Sequence, residues 1–95
     1  MNFEWDPAKA EMNLKKHGVS FARAAFVFSD KLSITLFDPL HSASGTRWIT
    51  IGQVQSDLLL VVHTYPFEPE DTTIRIISAR LATAKEQAYY REGDR

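Results

Sequence analysis

A run of five aliphatic residues, Leu58 to Val62, is the feature that most constrains how this chain can fold. Successive side chains of a strand point to opposite faces, so a strand that is apolar at every position is covered by protein on both sides. The run is far shorter than the roughly 20 residues that a membrane-spanning helix needs. It therefore predicts the central strand of a sheet.

Three further segments have the composition of strands: KLSITLF, TRWITIGQV and TIRIISAR. Gln55-Ser56-Asp57 is a tight connection between the second of these and the aliphatic run, whereas DPLHSASG and PFEPED are predicted loops. Connections of this kind favour an antiparallel meander.

Helix signals stand before and after the strands. Asp6-Pro7 is typical of a helix start, and His17-Gly18 of a helix end. A second helix is predicted from the N-cap Ser20 to about Ser29-Asp30, and a third over ATAKEQAYYRE. Four large side chains are predicted to pack in the core: Trp5, Met12, Phe21 and Phe28.

A short strand at NFEW completes the order β-α-α-β-β-β-β-α. The prediction is a single α+β domain over residues 1–95, with a mainly antiparallel sheet of four to five strands packed against helices.

Composition narrows the possible functions. The formal net charge of −1 argues against strong non-specific binding to duplex DNA, which requires many phosphates to be neutralised. The chain has no cysteine, so disulfides and zinc–thiolate sites are excluded. Its start lacks the apolar segment of a signal peptide, and we expect a soluble, cytoplasmic protein that does not associate with membranes.

Arg80 ends an otherwise apolar strand, where strand parity groups it with Ile74, Ile76 and Ser78. A buried and unpaired charge is strongly unfavourable, so the guanidinium must reach solvent, a carboxylate or an anionic ligand. The structural explanation is a salt bridge to a helix carboxylate such as Glu86 or Glu11, and the functional explanation is a phosphate site.

Arg47 raises the same question at the start of TRWITIGQV, on the face of Ile49 and Ile51. The strands that carry Arg47 and Arg80 are both expected to run antiparallel to the central strand. The start of one and the end of the other then lie at opposite ends of the sheet, which argues against a shared site.

Lys15, Lys16 and His17 close the first helix. The helix dipole favours cations there, but the same residue types form phosphate-binding and proton-transfer clusters. His63 is expected to be a hydrogen-bonded core residue. Because the three histidines, including His41, lack the spacing of a metal site, we predict neither a metal nor another cofactor.

Four segments together resemble the BrnT family of bacterial toxins: WDPAK, KHGVSF, RWITIG and RIISAR, in this order and at these spacings. The resemblance extends from Trp5 to Tyr90. It implies a RelE-like fold, a metal-independent endoribonuclease activity that inhibits translation, and neutralisation by a BrnA-like antitoxin. Operator DNA would be contacted only indirectly, through that antitoxin.

The resemblance also implies roles for individual residues. When a ribose 2′-OH attacks the neighbouring phosphate, Arg47 and Arg80 would hold the developing charge, while Lys16 and His17 would add charge and proton transfer. The implied RNA-binding residues are Lys15, Thr64, Tyr65 and Ser78.

One departure from the family pattern marks either a weakened enzyme or merely a variable loop, and the first interpretation leads to an alternative function. Family members often carry an acidic residue shortly before the RW pair, where this chain has Ala43-Ser44-Gly45-Thr46. The alternative is a catalytically weak domain that binds the antitoxin and modulates operon repression. Pairing of both arginines with internal carboxylates would favour it.

Aromatic residues bear on two further hypotheses. A stand-alone RNA-binding module is a third possibility, although strand aromatics spaced as a stacking platform are not evident in the sequence. Phe67, Tyr89 and Tyr90 are candidates for the antitoxin surface, because aromatic residues are enriched at interface centres. Packing of the last helix onto the sheet is the other explanation for the tyrosines.

Overall fold

The computed structural model describes residues 1–39, 46–65 and 72–93. Most of the predicted DPLHSASG loop, the residues Ala43-Ser44-Gly45 and the acidic turn with Phe67 lie outside these ranges. The elements follow the chain as β1 (Asn2–Glu4), α1 (Pro7–His17), α2 (Phe21–Ala24), a 3₁₀ helix (Ala25–Ser29), β2 (Ile34–Asp38), β3 (Arg47–Val54), β4 (Asp57–Thr64), β5 (Thr73–Leu81) and α3 (Ala84–Glu92).

The predicted α+β class is confirmed. The five strands form one sheet in the order β1-β5-β4-β3-β2. Strand β1 runs parallel to β5, and the other three pairings are antiparallel. Strand β4, which contains the aliphatic run, is the middle strand, as its composition predicts.

The two faces of the sheet carry separate cores. The helix face, covered by α1, α2 and the 3₁₀ helix, has a core of Val19, Phe21, Ala24, Val27, Val54, Leu59, Val61, Ile76 and Ala79. The opposite face, called the cleft face below, has a smaller core of Ile51, Leu58, Leu60, Ala82 and Tyr90. Tyr90 belongs to α3, so this helix covers part of the cleft face.

The predicted ends of α1 are confirmed. The Asp6 carboxylate accepts a hydrogen bond from the backbone N–H of Ala8 at 2.9 Å, and Pro7 is the first helical residue. Gly18 ends the helix at φ 72°, a left-handed conformation that costs glycine little.

The second helix begins and ends near the predicted residues, but its geometry changes midway. Ser20 caps it by accepting from the N–H of Arg23 at 3.1 Å, and the α-helix ends at Ala24, where the 3₁₀ helix begins. The 3₁₀ helix lies against β3 at Gly52, where an added Cβ would be 2.8 Å from the Cβ of Val27. Only glycine permits this approach.

The core prediction is confirmed for Phe21, and Trp5 and Phe28 pack against the same core while partly buried. It is wrong for Met12, which is 70 % exposed. The buried residue of α1 is its neighbour Asn13, whose side-chain amide donates to the carbonyls of Val19 and Ala79 at 2.9 and 2.8 Å. Hydrogen bonds from the Asn13 side chain to backbone carbonyls thus hold this face of α1 against the sheet.

A β-bulge in β5 changes the predicted face of Arg80. Val62 pairs with Ser78, but His63 pairs with Ile76, so one extra residue lies between them in β5. Because one inserted residue reverses the alternation of side chains, Ile76 belongs to the helix-face core while Ser78 and Arg80 point to the cleft face. The predicted grouping of Arg80 with Ile76 is therefore wrong.

Candidate active site

A cleft of about 260 Å³ opens on the cleft face and brings both candidate arginines together. It is lined by Asp38, Arg47, Ile49, Leu60, Val62, Ser78 and Arg80. Two guanidinium groups, a hydroxyl and a carboxylate therefore surround an aliphatic floor, and the guanidinium groups are suited to holding an anionic group.

Arg47 and Arg80 lie toward opposite ends of their strands, as the predicted strand directions require, yet the side chains of both line this cleft. Val62 pairs with both Ile49 and Ser78, which places these three residues at one level of the sheet. Arg47 lies two residues before Ile49 and Arg80 two residues after Ser78. Along the strand direction, the two arginines are therefore separated by four residues, or roughly 14 Å. Both side chains line the cleft between these positions.

Arg80 forms a two-point ion pair with Glu86, as the structural explanation predicted. Its Nη1 and Nη2 donate to the two carboxylate oxygens of Glu86 at 2.8 and 2.9 Å, and Nη1 also donates to the Leu81 carbonyl at 3.2 Å. The hydrogen bonds from Arg80 hold the pKa of Glu86 down at about 2, and those to Glu86 raise the pKa of Arg80. Both groups are charged at neutral pH.

Arg80 retains hydrogen-bonding capacity despite this pair. A guanidinium has five N–H groups, and the contacts to Glu86 and Leu81 use three of them. Among the described residues, the Nε–H and one Nη2 N–H of Arg80 have no acceptor. A phosphate could accept from both.

Asp38 is a site residue that sequence reasoning missed. It pairs with Arg47 across β2 and β3, it is buried, and it lines the cleft. Strand pairing thus brings a carboxylate to Arg47 from β2. In the sequence Asp38 has the signature of a turn residue before proline, and only the register of two strands reveals its position in the cleft.

The other predicted polar residues of the strands divide between the two faces. Ser78 lines the cleft. Thr64 follows Val62 by two residues in β4, so it shares the cleft face without lining the cleft. The ring of Tyr65 contacts that of His63 at 5.2 Å between centroids, which places Tyr65 on the helix face.

The structure does not bring the cations of α1 to this cleft. Lys15, Lys16 and His17 form the last turn of α1, on the helix-face side, and none of them lines the cleft. Lys15 pairs with Glu11 at 3.4 Å, and both side chains are largely exposed.

His63 is a core histidine, as predicted. It is fully buried, and its Nε2 lies 2.7 Å from the hydroxyl oxygen of Thr50, while Phe28 contacts the ring edge-to-face. Burial lowers the pKa of His63 to about 4, so the ring is neutral at pH 7. Burial also raises the pKa of Tyr65.

A row of strand aromatics is present, contrary to the expectation from the sequence. The ring of Trp48 lies 5.6 Å from that of Phe37 on β2 and 6.2 Å from that of Tyr65 at the end of β4. The three residues are far apart in the sequence, and strand pairing brings them together.

The two tyrosines that are candidates for the antitoxin surface, Tyr89 and Tyr90, differ in burial. Tyr90 is buried in the cleft-face core, and its hydroxyl donates to Asp30 at 2.6 Å. Packing of the last helix onto the sheet therefore explains Tyr90. Tyr89 is 45 % exposed and remains a candidate.

A larger groove of about 710 Å³ lies between the second helix and the β3–β4 turn. Its arginine, Arg23, donates to Asp57 at 2.7 Å. The smaller cleft combines two arginines with a hydroxyl and a carboxylate, whereas Arg23 is the arginine of the groove, so the cleft is the candidate active site.

No group of three or more histidine, aspartate or glutamate residues within 1–39, 46–65 and 72–93 is arranged to hold a metal ion. In that same part of the chain, no helix is long and apolar enough to cross a membrane.

The structure is thus that of a small α+β protein with two arginines, an aspartate and a serine around one cleft. Comparison with protein families matches residues 5–86 to the family described as ribonuclease toxin, BrnT, of type II toxin–antitoxin system. The match covers most of the chain, which therefore belongs to the BrnT family, as the resemblance of its motifs indicated. No curated protein matched the chain in a sequence comparison.

Proposed function

We propose that this protein is a metal-independent endoribonuclease that inhibits translation, and that a BrnA-like antitoxin neutralises it. The observation that carries the proposal is the convergence of Arg47 and Arg80 on one cleft in a chain of the ribonuclease toxin family. The RelE-like fold that the sequence resemblance implies is part of the same proposal.

The cleft residues suit cleavage by the neighbouring ribose hydroxyl. The 2′ oxygen attacks phosphorus, its proton passes to a base, and the bond from phosphorus to the 5′ oxygen breaks as that oxygen takes up a proton from water. The products are a 2′,3′-cyclic phosphate and a 5′-hydroxyl. We assign the base to Asp38, the only carboxylate among the residues that line the cleft within the described part of the chain.

The arginines act on the phosphate. The two unused N–H groups of Arg80 are placed to donate to one phosphate together, and Arg47 binds from the other side of the cleft. The hydroxyl of Ser78 lies between them and orients the phosphate, and Thr64 extends the same face. Lys15, Lys16 and His17 are assigned to RNA phosphates away from the cut, because they lie outside the cleft.

The second candidate, a catalytically weak domain that binds the antitoxin and modulates operon repression, is favoured by one observation. The Glu86 carboxylate offsets the charge of Arg80, and Asp38 faces Arg47 across the strands. Two arginines that each face a carboxylate attract phosphate less strongly than two unpaired arginines would.

Cleavage of single-stranded RNA in EDTA separates the candidates. The ribonuclease proposal expects cleavage by the wild type, a loss on the order of 10²-fold or more for Arg80→Ala and Arg47→Ala, and a smaller loss for Arg80→Lys. Circular dichroism and urea unfolding show whether each variant is folded. A folded wild type that does not cleave favours the antitoxin-binding domain, and equal cleavage by Arg80→Ala removes Arg80 from the chemistry.

A further inference from the structure

Three aromatic residues form a row on the helix face: Phe37 of β2, Trp48 of β3, and Tyr65, which directly follows β4. Both contacts along the row are close to edge-to-face, with interplanar angles of 69° and 62°. Phe37 is 50 % exposed and Tyr65 is 48 % exposed. Single exposed aromatic side chains are common, whereas a contiguous exposed patch of them is typical of a binding surface.

The row begins where the helical layer ends. The Tyr65 ring contacts His63, and the ring of His63 lies 4.9 Å from that of Phe28 in the 3₁₀ helix. On the side of Trp48 and Phe37, no described helix continues this stack. The row therefore extends an internal aromatic stack to the protein surface.

The row also lies at the same end of the sheet as Arg47. Each of its members is next in sequence to a residue that points to the cleft face: Asp38, Arg47 and Thr64. At this end of the sheet, the aromatic row therefore lies on the helix face, and the side chains of Asp38, Arg47 and Thr64 lie on the cleft face. A chain molecule would have to cross this end of the sheet to contact both sets.

We propose that the aromatic row binds bases of single-stranded RNA by stacking. The inference rests on the proposed ribonuclease function, and it names how the substrate is held beside the cleft. Aromatic rings bind bases of any sequence, because every base has a flat π surface, and such platforms are common in proteins that bind single strands.

The charge of the protein favours a base-stacking site over one that binds phosphates alone. With a formal net charge of −1 and its cleft arginines beside carboxylates, the chain has little electrostatic attraction for RNA. Stacking supplies affinity that salt does not screen. An edge-to-face contact leaves other surfaces of each ring open, and the half-exposed Phe37 and Tyr65 have that area available.

Tryptophan fluorescence tests the proposal directly. The chain has two tryptophans, so Trp5→Phe leaves Trp48 as the sole reporter. The probe is a single-stranded 2′-O-methyl oligonucleotide, which lacks the hydroxyl needed for cleavage. Saturable quenching of Trp48 that persists when salt is raised is the expected result, and a duplex of the same sequence should quench much less.

Variants locate the binding site. In the Trp5→Phe background, Phe37→Leu and Tyr65→Leu should each weaken binding of the oligonucleotide by roughly 5- to 150-fold. Phe26→Leu is the matched control, since Phe26 is 62 % exposed on the 3₁₀ helix and outside the row, and its effect should stay below about twofold. Absence of quenching, or an equal effect of the control, overturns the proposal.

The outcomes separate this inference from the proposed function. If RNA does not quench Trp48 while arginine-dependent cleavage is normal, the stacking site is wrong and the ribonuclease stands. If quenching occurs without cleavage, the protein binds RNA but is not an active nuclease. If RNA fails to quench and an antitoxin protein does, the row is a protein interface.

Discussion

The carboxylate of Glu86 holds the guanidinium of Arg80 through two hydrogen bonds, at 2.8 and 2.9 Å, across the junction of β5 and α3. The same carboxylate accepts the N–H of Thr83 at 2.9 Å and completes the capping box of α3. One side chain therefore fixes both the start of the last helix and the position of an arginine in the candidate active site.

This pair should make the protein lose stability in acid. The pKa of Glu86 is lowered from 4.5 to about 2, so its contribution is complete above pH 4.5 and disappears as the pH falls toward 2. Since the Arg80 and Glu86 side chains are 38 % and 26 % exposed, solvent screening reduces the effect to about 1 kcal/mol.

Urea unfolding at pH 6 and pH 2.5 measures this effect. Glu86→Gln can still cap α3 but carries no charge, so its free energy of unfolding should fall less than that of the wild type between these pH values. The same decrease in both proteins would contradict a role for the ion pair in stability.

Protonation of His63 should cause a second loss of stability on acidification, in a pH window above that of Glu86. Its pKa is lowered from 6.5 to about 4, so between these values the unfolded chain binds more protons than the folded one. Stability therefore rises with pH across this window, and acidification from pH 6.5 to 4 should cost up to about 3 kcal/mol. Unfolding curves for wild type and His63→Gln measure it, and an equally steep dependence in the variant would rule out His63 as the cause.

Asn13 should matter more to stability than any other residue of α1. Replacement by alanine removes the donors to the Val19 and Ala79 carbonyls and the acceptor for the Ala79 N–H, all buried, at a cost of about 3 kcal/mol. Met12→Ala is the matched control, because Met12 is 70 % exposed, and it should cost less than about 0.5 kcal/mol. Similar urea midpoints for the two variants would show that the hydrogen bonds of Asn13 contribute little.

The cations at the end of α1 should affect RNA affinity and not the chemical step. Lys16→Ala and His17→Ala lie outside the cleft, so KM should rise about two- to fivefold, more at low salt than at high salt, with kcat nearly unchanged. Steady-state cleavage at two salt concentrations measures this. A fall in kcat for His17→Ala comparable to that of Arg47→Ala would return His17 to the catalytic group.

Much of the fold follows from local sequence signals. The ends of α1 and the start of α2 are predicted by Asp6-Pro7, Gly18 and Ser20, because capping hydrogen bonds join residues within one turn. The central position of β4 follows from a strand that is apolar on both faces. Sequence motifs also sufficed to indicate the family.

Only the tertiary structure decided which side chains share the site. One extra residue in β5 reverses the face of Arg80 relative to Ile76, and the register of β2 on β3 brings Asp38 to Arg47. The row of Phe37, Trp48 and Tyr65 arises in the same way. A cap depends on neighbours in the chain, which the sequence displays, whereas pairing between strands depends on the packing of the whole sheet, so its consequences for the site appear only in the folded protein.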